Sequence, residues 1–131
     1  MSQGQPNCIA LVVIDDLIFE TKIRSTAAEL GVEVRCVKSF AEARMALDGD
    51  QPGLVIVDLN SAGGAALEVV KAGASRPQPP RILAFASHVD RELARAALDS
   101  GADQVVPRSR FSAELPRLLE ELLERASKDD Q

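Results

Sequence analysis

The chain has no Trp, no Tyr and only four Phe, so aromatics make up 3% of it. Its core must therefore be aliphatic, and the ring platforms on which nucleic-acid bases stack are scarce. Basic charge is not in excess: 15 Lys and Arg stand against 20 Asp and Glu, a formal net charge of -5. Both facts argue against nucleic-acid binding. No apolar run approaches a membrane span, and Met1-Ser2-Gln3-Gly4-Gln5 lacks the basic and apolar regions of a signal peptide. The expectation is a cytoplasmic protein without membrane contact. Cys8 and Cys36 are too far apart for a CxxC pair and read as reduced thiols on neighbouring strands. There is a single His, no Cys/His metal spacing, no GxGxxG, no P-loop and no GxSxG.

What remains is an aliphatic chain with a regular pattern. Of 131 residues, 46% are hydrophobic, enough for one core of ordinary domain size. Short Val- and Ile-rich runs alternate with helical patterns. Strands are expected at Ile9 to Ile14, Val32 to Val37, Leu54 to Val57, Ile82 to Phe85 and Asp103 to Val106. Helices are expected over Leu17 to Leu30, Ser39 to Leu47, Ala65 to Ala72, Val89 to Leu98 and Ser112 to Ala126. Gly31 stands where glycine ends a helix, and Ser39 with Glu42 forms a capping box. Asp48 to Gly53 and the proline-rich Arg76 to Pro80 read as loops. Pro116 is tolerable if it lies in or near the first turn of the last helix. The domain is expected over 9–126, with tails at 1–8 and 127–131.

Five strand–helix units with right-handed crossovers make a doubly wound parallel sheet, α/β and flavodoxin-like, with strand order 2-1-3-4-5. Its switch point lies between the first and third strands. Two apolar runs end there in acids, Leu11-Val12-Val13-Ile14 in Asp15-Asp16 and Leu54-Val55-Ile56-Val57 in Asp58. Three carboxylates converging on one crevice repel and need a counter-charge, for which a hard divalent cation such as Mg2+ is suited. Each Asp alone could as well cap a helix.

With these residues in hand, the chain resembles the receiver domains of bacterial two-component signalling over about Ile9 to Leu123. The resemblance is carried by Val12 to Asp16, by Leu54 to Asn60, by Ser100-Gly101-Ala102-Asp103, and by Val105-Val106-Pro107-Arg108. It implies that Asp58 accepts a phosphoryl group from a histidine kinase or another donor. It also implies that Asp15, Asp16, Asp58 and the backbone carbonyl of Asn60 hold Mg2+. It implies no enzymatic activity beyond phosphorylation and dephosphorylation of Asp58 itself. A downstream protein partner is expected to read the state, and a homodimer through the fourth helix, fifth strand and fifth helix is the family's usual assembly.

The chain also departs from the family pattern. The hydroxyl residue that ends the fourth strand falls on Ala86, with Ser87 beside it. The family Lys falls on Arg108, and the Pro after it on Ser109. A guanidinium is a planar fork, not a point charge. Without Lys-Pro, the chain after the fifth strand is expected to take another path, steered by Pro107. The switch aromatic falls on Val105, and Met-Pro is replaced by Ser61-Ala62. Ser87, His88 and Arg108 are candidate anion contacts on the same edge as Asp58. Two readings follow: an atypical receiver phosphorylated on Asp58, or a pseudo-receiver whose surface is read without phosphorylation. A small-ligand-binding flavodoxin-like protein is the third.

Overall fold

A computed structural model describes residues 9–61, 64–88 and 91–129, with backbone alone at 122, 123 and 125–129. The elements follow in strict alternation: β1 (Ile9–Val13), α1 (Leu17–Leu30), β2 (Glu33–Val37), α2 (Phe40–Asp50), β3 (Leu54–Asp58), α3 (Ala66–Ala74), β4 (Arg81–Ala86), α4 (Arg91–Ser100), β5 (Gln104–Pro107) and α5 (Arg108–Asp129). The strands form one sheet in the order β2-β1-β3-β4-β5, and every neighbouring pair is parallel. This is the doubly wound topology expected from the pattern, with its switch point between β1 and β3.

Two apolar layers sandwich the sheet because successive strand side chains point to opposite faces. Ala10, Val12, Ile14, Leu54, Ile56, Leu83 and Phe85 join Phe19, Ile23, Phe111, Leu115 and Leu119 on the α1/α5 side. Leu11, Val13, Val55, Val57, Ile82 and Ala84 join Leu47, Val69, Val70 and Ala97 on the side of α2, α3 and α4. β3 is buried along its whole length, including Asp58. The edge strand β2 is exposed at alternate residues, as its sequence alternation requires.

The helix ends are set by local chemistry. Asp16 caps α1, its side chain accepting from the Phe19 N–H. Gly31 ends the helix in the left-handed region (φ 77°), and the Val32 N–H bonds back to the Ala27 carbonyl. Ser39 accepts from the Glu42 N–H while Glu42 accepts from the Lys38 N–H, a capping box displaced by one residue on its return bond.

Several expected helix bounds, and the place of Pro116, are corrected. α2 does not stop at Leu47 but runs through Gly49 to Asp50, ending on Gln51 in the left-handed region (φ 48°). α3 and α4 likewise extend to Ala74 and Ser100, past the ends expected at Ala72 and Leu98. α5 starts at Arg108 rather than Ser112 and continues to Asp129, past the boundary expected at Ala126. Pro116 therefore sits inside the helix, not in its first turn. It is exposed, so water can satisfy the Ser112 carbonyl that loses its helical donor. Cys36 lies on β2, half-buried, with burial pushing its thiol up to about 11. Cys8, the tail 1–8, Ala62-Gly63 and Val89 lie outside the described residues. Among the described residues no helix is long and apolar enough to cross a membrane.

Candidate functional site

The carboxyl ends of β1, β3, β4 and β5 open on one edge of the sheet. Asp15 and Asp16 follow β1, Asp58 closes β3, Ala86 closes β4 and Arg108 follows β5. Asp58 is paired in register with Phe85 of β4. Its backbone is fixed from the far side by Ser61, fully buried, whose hydroxyl donates to the Asp58 carbonyl at 2.6 Å and lies 3.3 Å from the Val13 carbonyl. Ser61 thus ties the ends of β3 and β1 together and sets the width of the crevice.

Arg108 occupies the centre. Its Nη1 donates to Asp16 Oδ2 at 3.0 Å and its Nη2 to Asp58 Oδ2 at 3.2 Å. Its Cζ lies 5.0 Å from the Phe19 ring centroid and 5.8 Å from that of Phe85, within reach of cation–π attraction. Its Nε is buried without a hydrogen-bond partner. The rings beneath are themselves packed: Phe85 stacks on Phe111 at 4.5 Å, and Phe19 meets both edge-on.

The two acids held by Arg108 sit in opposite environments. Asp58 is 2% exposed. Burial raises its carboxyl above the ordinary range, against the Asn60 N–H and Arg108, with the charges of Asp15 and Asp16 adding to the rise. Asp16 is held below its ordinary value, chiefly by the Phe19 N–H and then by Arg108. One cation therefore serves a buried acid that resists ionisation and a capping acid that favours it.

Asp16 and Asp58 are joined through Arg108, and Asp15 lies near enough for its charge to act on Asp58. Asp15 is exposed, and among the described residues no three acidic, His or Cys groups come together as a metal-holding set. Every carboxylate oxygen of the close pair already accepts a hydrogen bond: Asp16 Oδ1 from Phe19 N–H, Asp58 Oδ1 from Asn60 N–H at 2.9 Å, and both Oδ2 atoms from Arg108. A divalent cation needs several oxygens aimed at one point. In this arrangement Arg108 takes one oxygen of each acid, and the residues as placed do not form a metal-holding set.

The remaining candidates separate. Ala86 is fully buried and supplies no hydroxyl. Ser87, exposed, points its hydroxyl and N–H at the Asn60 side-chain oxygen, at 3.4 and 3.2 Å. His88 is exposed beyond it. Further along α5, Arg110 pairs with Glu114 at 2.9 Å. Sequence reasoning missed Phe19 and Phe85 as the platform for Arg108, and Ser61 as the tie between strands. The weak signal for the first was that three of so few aromatics fall close after Asp16, before Ala86 and after Arg108.

With this geometry described, comparison with known proteins places the fold. No family model matches the chain. A response regulator from Hahella chejuensis superposes with a TM-score of 0.78 at 21% identity, covering 88% of this chain and 94% of that one. A CheY-like response regulator receiver domain from Methanospirillum hungatei gives 0.78 at 19% identity, covering 92% and 97%. The beryllofluoride-activated NtrC4 receiver domain dimer gives 0.73 at 17% identity, covering 88% and 98%. Among curated proteins, the transcriptional activator protein ExaE of Pseudomonas putida is 38% identical over 72 residues, which are 55% of this chain and 34% of that protein. The matched segment thus spans about a third of that relative. The structural neighbours are response-regulator receiver domains, and the fold of this chain is theirs.

Proposed function

We propose that this chain is an atypical receiver-like signalling module that acts through protein contacts and whose state does not depend on phosphorylation of Asp58. One observation carries the reading: Arg108 bridges Asp16 and Asp58 across the crevice. A phosphoryl donor approaching Asp58 Oδ2 in line meets that guanidinium first. The incoming group would then lack a hydroxyl ligand, since Ala86 ends β4 and the Ser87 hydroxyl is turned to Asn60. Receiver folds serve signalling more than catalysis, and fold alone does not assign a reaction. The partner would therefore read a fixed surface, with the edge around α4, β5 and α5 as the place for a second copy or an output protein. The NtrC4 neighbour is a receiver domain dimer, which supports a second copy as a partner.

The test is incubation with Mg2+ and acetyl phosphate, or with beryllofluoride, read by intact mass and by amide spectra. No mass gain and no spectral change are expected in the wild-type chain. A gain of one phosphoryl group, absent from Asp58→Asn, would overturn the reading.

A second reading keeps Asp58 as a Mg2+-dependent phospho-acceptor supplied by a histidine kinase. It is favoured by the position of Asp58, at the carboxyl end of β3 with Oδ2 turned to the crevice, and by retention of Asp15 and Asp16. The same experiment separates the two.

A further inference from the structure

We infer that Arg108 is the resident cation of this crevice: its guanidinium takes the position a divalent metal would need, so the site neutralises its acids without metal and excludes one while Arg108 stays in place. The inference rests on the receiver-like reading of the site, and it concerns metal exclusion, not phosphorylation.

Three observations carry it. A single planar fork spans two carboxylates from different elements, Nη1 to Asp16 at the cap of α1 at 3.0 Å and Nη2 to Asp58 at the end of β3 at 3.2 Å. An ammonium, a point donor on a flexible stem, lacks that two-pronged geometry. The opposite oxygens of both acids are held by backbone N–H groups of Phe19 and Asn60. Each carboxylate is thus oriented on both sides, by a backbone N–H and by the guanidinium. Finally, the floor of the site is apolar: the Phe19 and Phe85 rings lie 5.0 and 5.8 Å from the guanidinium carbon. A weakly hydrated guanidinium packs on rings, whereas Mg2+ keeps several of its waters. The buried Nε without a partner fits a side chain held by rings and by its fork rather than by complete hydrogen bonding.

The backbone keeps Arg108 in reach. β5 ends at Pro107 and α5 begins at Arg108, with no loop between them. The side chain is thus anchored by a strand on one side and a helix on the other.

Mn2+, as a paramagnetic stand-in for Mg2+, tests the inference on the isotope-labelled full chain. The wild-type protein should show no saturable broadening of the Asp16, Phe19 and Asn60 amides at millimolar ion. Arg108→Ala should gain a saturable site at least about tenfold tighter, because the competing cation is gone and the acids are available in every molecule. Mg2+ should displace the ion, and adding Asp58→Asn should abolish the gain. Wild-type broadening at those amides with the affinity of Arg108→Ala would overturn the inference. So would a folded Arg108→Ala that gains no site. If Arg108→Ala fails to fold, the wild-type measurement and Arg108→Lys decide: the lysine variant should admit Mn2+ more tightly than wild type, and equal exclusion would count against the fork. A wild-type chain that excludes Mn2+ yet takes up a phosphoryl group would sink the proposed function alone. One that binds Mn2+ and takes up none would sink this inference alone.

Discussion

The two faces of the sheet are built from different materials. The α1/α5 face holds Phe19, Phe85 and Phe111 in mutual ring contact, and these rings support the charged centre of the crevice. The buried core of the opposite face is Ala, Val, Leu and Ile, with Phe40 only partly buried against it, and its helices come close: a Cβ on Gly101 would lie 2.3 Å from the Ala74 Cβ. An aromatic layer fills space with a few large plates, so losing one leaves a large void. An aliphatic layer of small residues fills space by close approach, so adding an atom is what harms it. The difference also bears on function. The Arg108 guanidinium and the buried Asp58 lie against the Phe19 and Phe85 rings, so the site belongs to that face although the sheet itself is shared.

The comparison is sharpened most by truncating a ring. Phe85→Ala, fully buried in the wild type, should cost about 3–5 kcal/mol in urea unfolding, and Phe85→Leu clearly less. A loss for Phe85→Ala no greater than that for Val70→Ala on the other face would break the contrast. The next effect is the reverse operation. Gly101→Ala should cost roughly 1–3 kcal/mol, since the residue sits at φ 120° and its new methyl would strike Ala74. A neutral result in the same assay would show that α3 and α4 can separate freely.

The smallest effect contrasts the two acids under Arg108. Asp58 has a raised carboxyl in the folded chain, so between the unfolded and folded values the native state binds more protons than the unfolded state. Stability contributed by this group therefore falls as pH rises through that window. Asp58→Asn should raise the melting temperature at neutral pH, and the gain should shrink on acidification toward the ordinary carboxylate range. Asp16 has a lowered carboxyl: its contribution is present above the ordinary range and is lost as pH falls through the folded value. Asp16→Asn should lower the melting temperature at neutral pH, and the deficit should close in acid. Parallel pH profiles for the two variants would remove the distinction between a buried and a capping acid.

Most of the fold was legible because each signal was local. Leu11-Val12-Val13 and Val55-Ile56-Val57 lie in strands buried on both faces, and such runs read as strands from a few residues of context. Caps at Asp16, Gly31 and Ser39 depend on neighbours within five positions. The misjudged ends have the same origin. Gly49 suggested a turn, yet α2 continues through it, because the packing of Ala43, Ala46 and Leu47 outweighs one weak helix former. Arg108 to Phe111 has no sequence mark of a helix start, yet Phe111 is fully buried beside Phe85. Burying that ring draws the helix back to the strand end and places Pro116 inside it.

The sequence by itself determined that five parallel strands alternate with five helices and that Asp16, Asp58 and Arg108 reach one edge. Short apolar runs alternating with helical patterns are enough for the strands, the helices and the two acids; Arg108 was placed there only by the resemblance to receiver domains. Only the tertiary structure decided what those groups do to each other. Arg108 meets Asp16 across 92 positions of chain and Asp58 across 50, and no local propensity encodes a contact at that range. The outcome turns on ångström-scale geometry: whether a planar fork, two half-committed carboxylates and a pair of rings fit together closely enough to leave no place for a second cation.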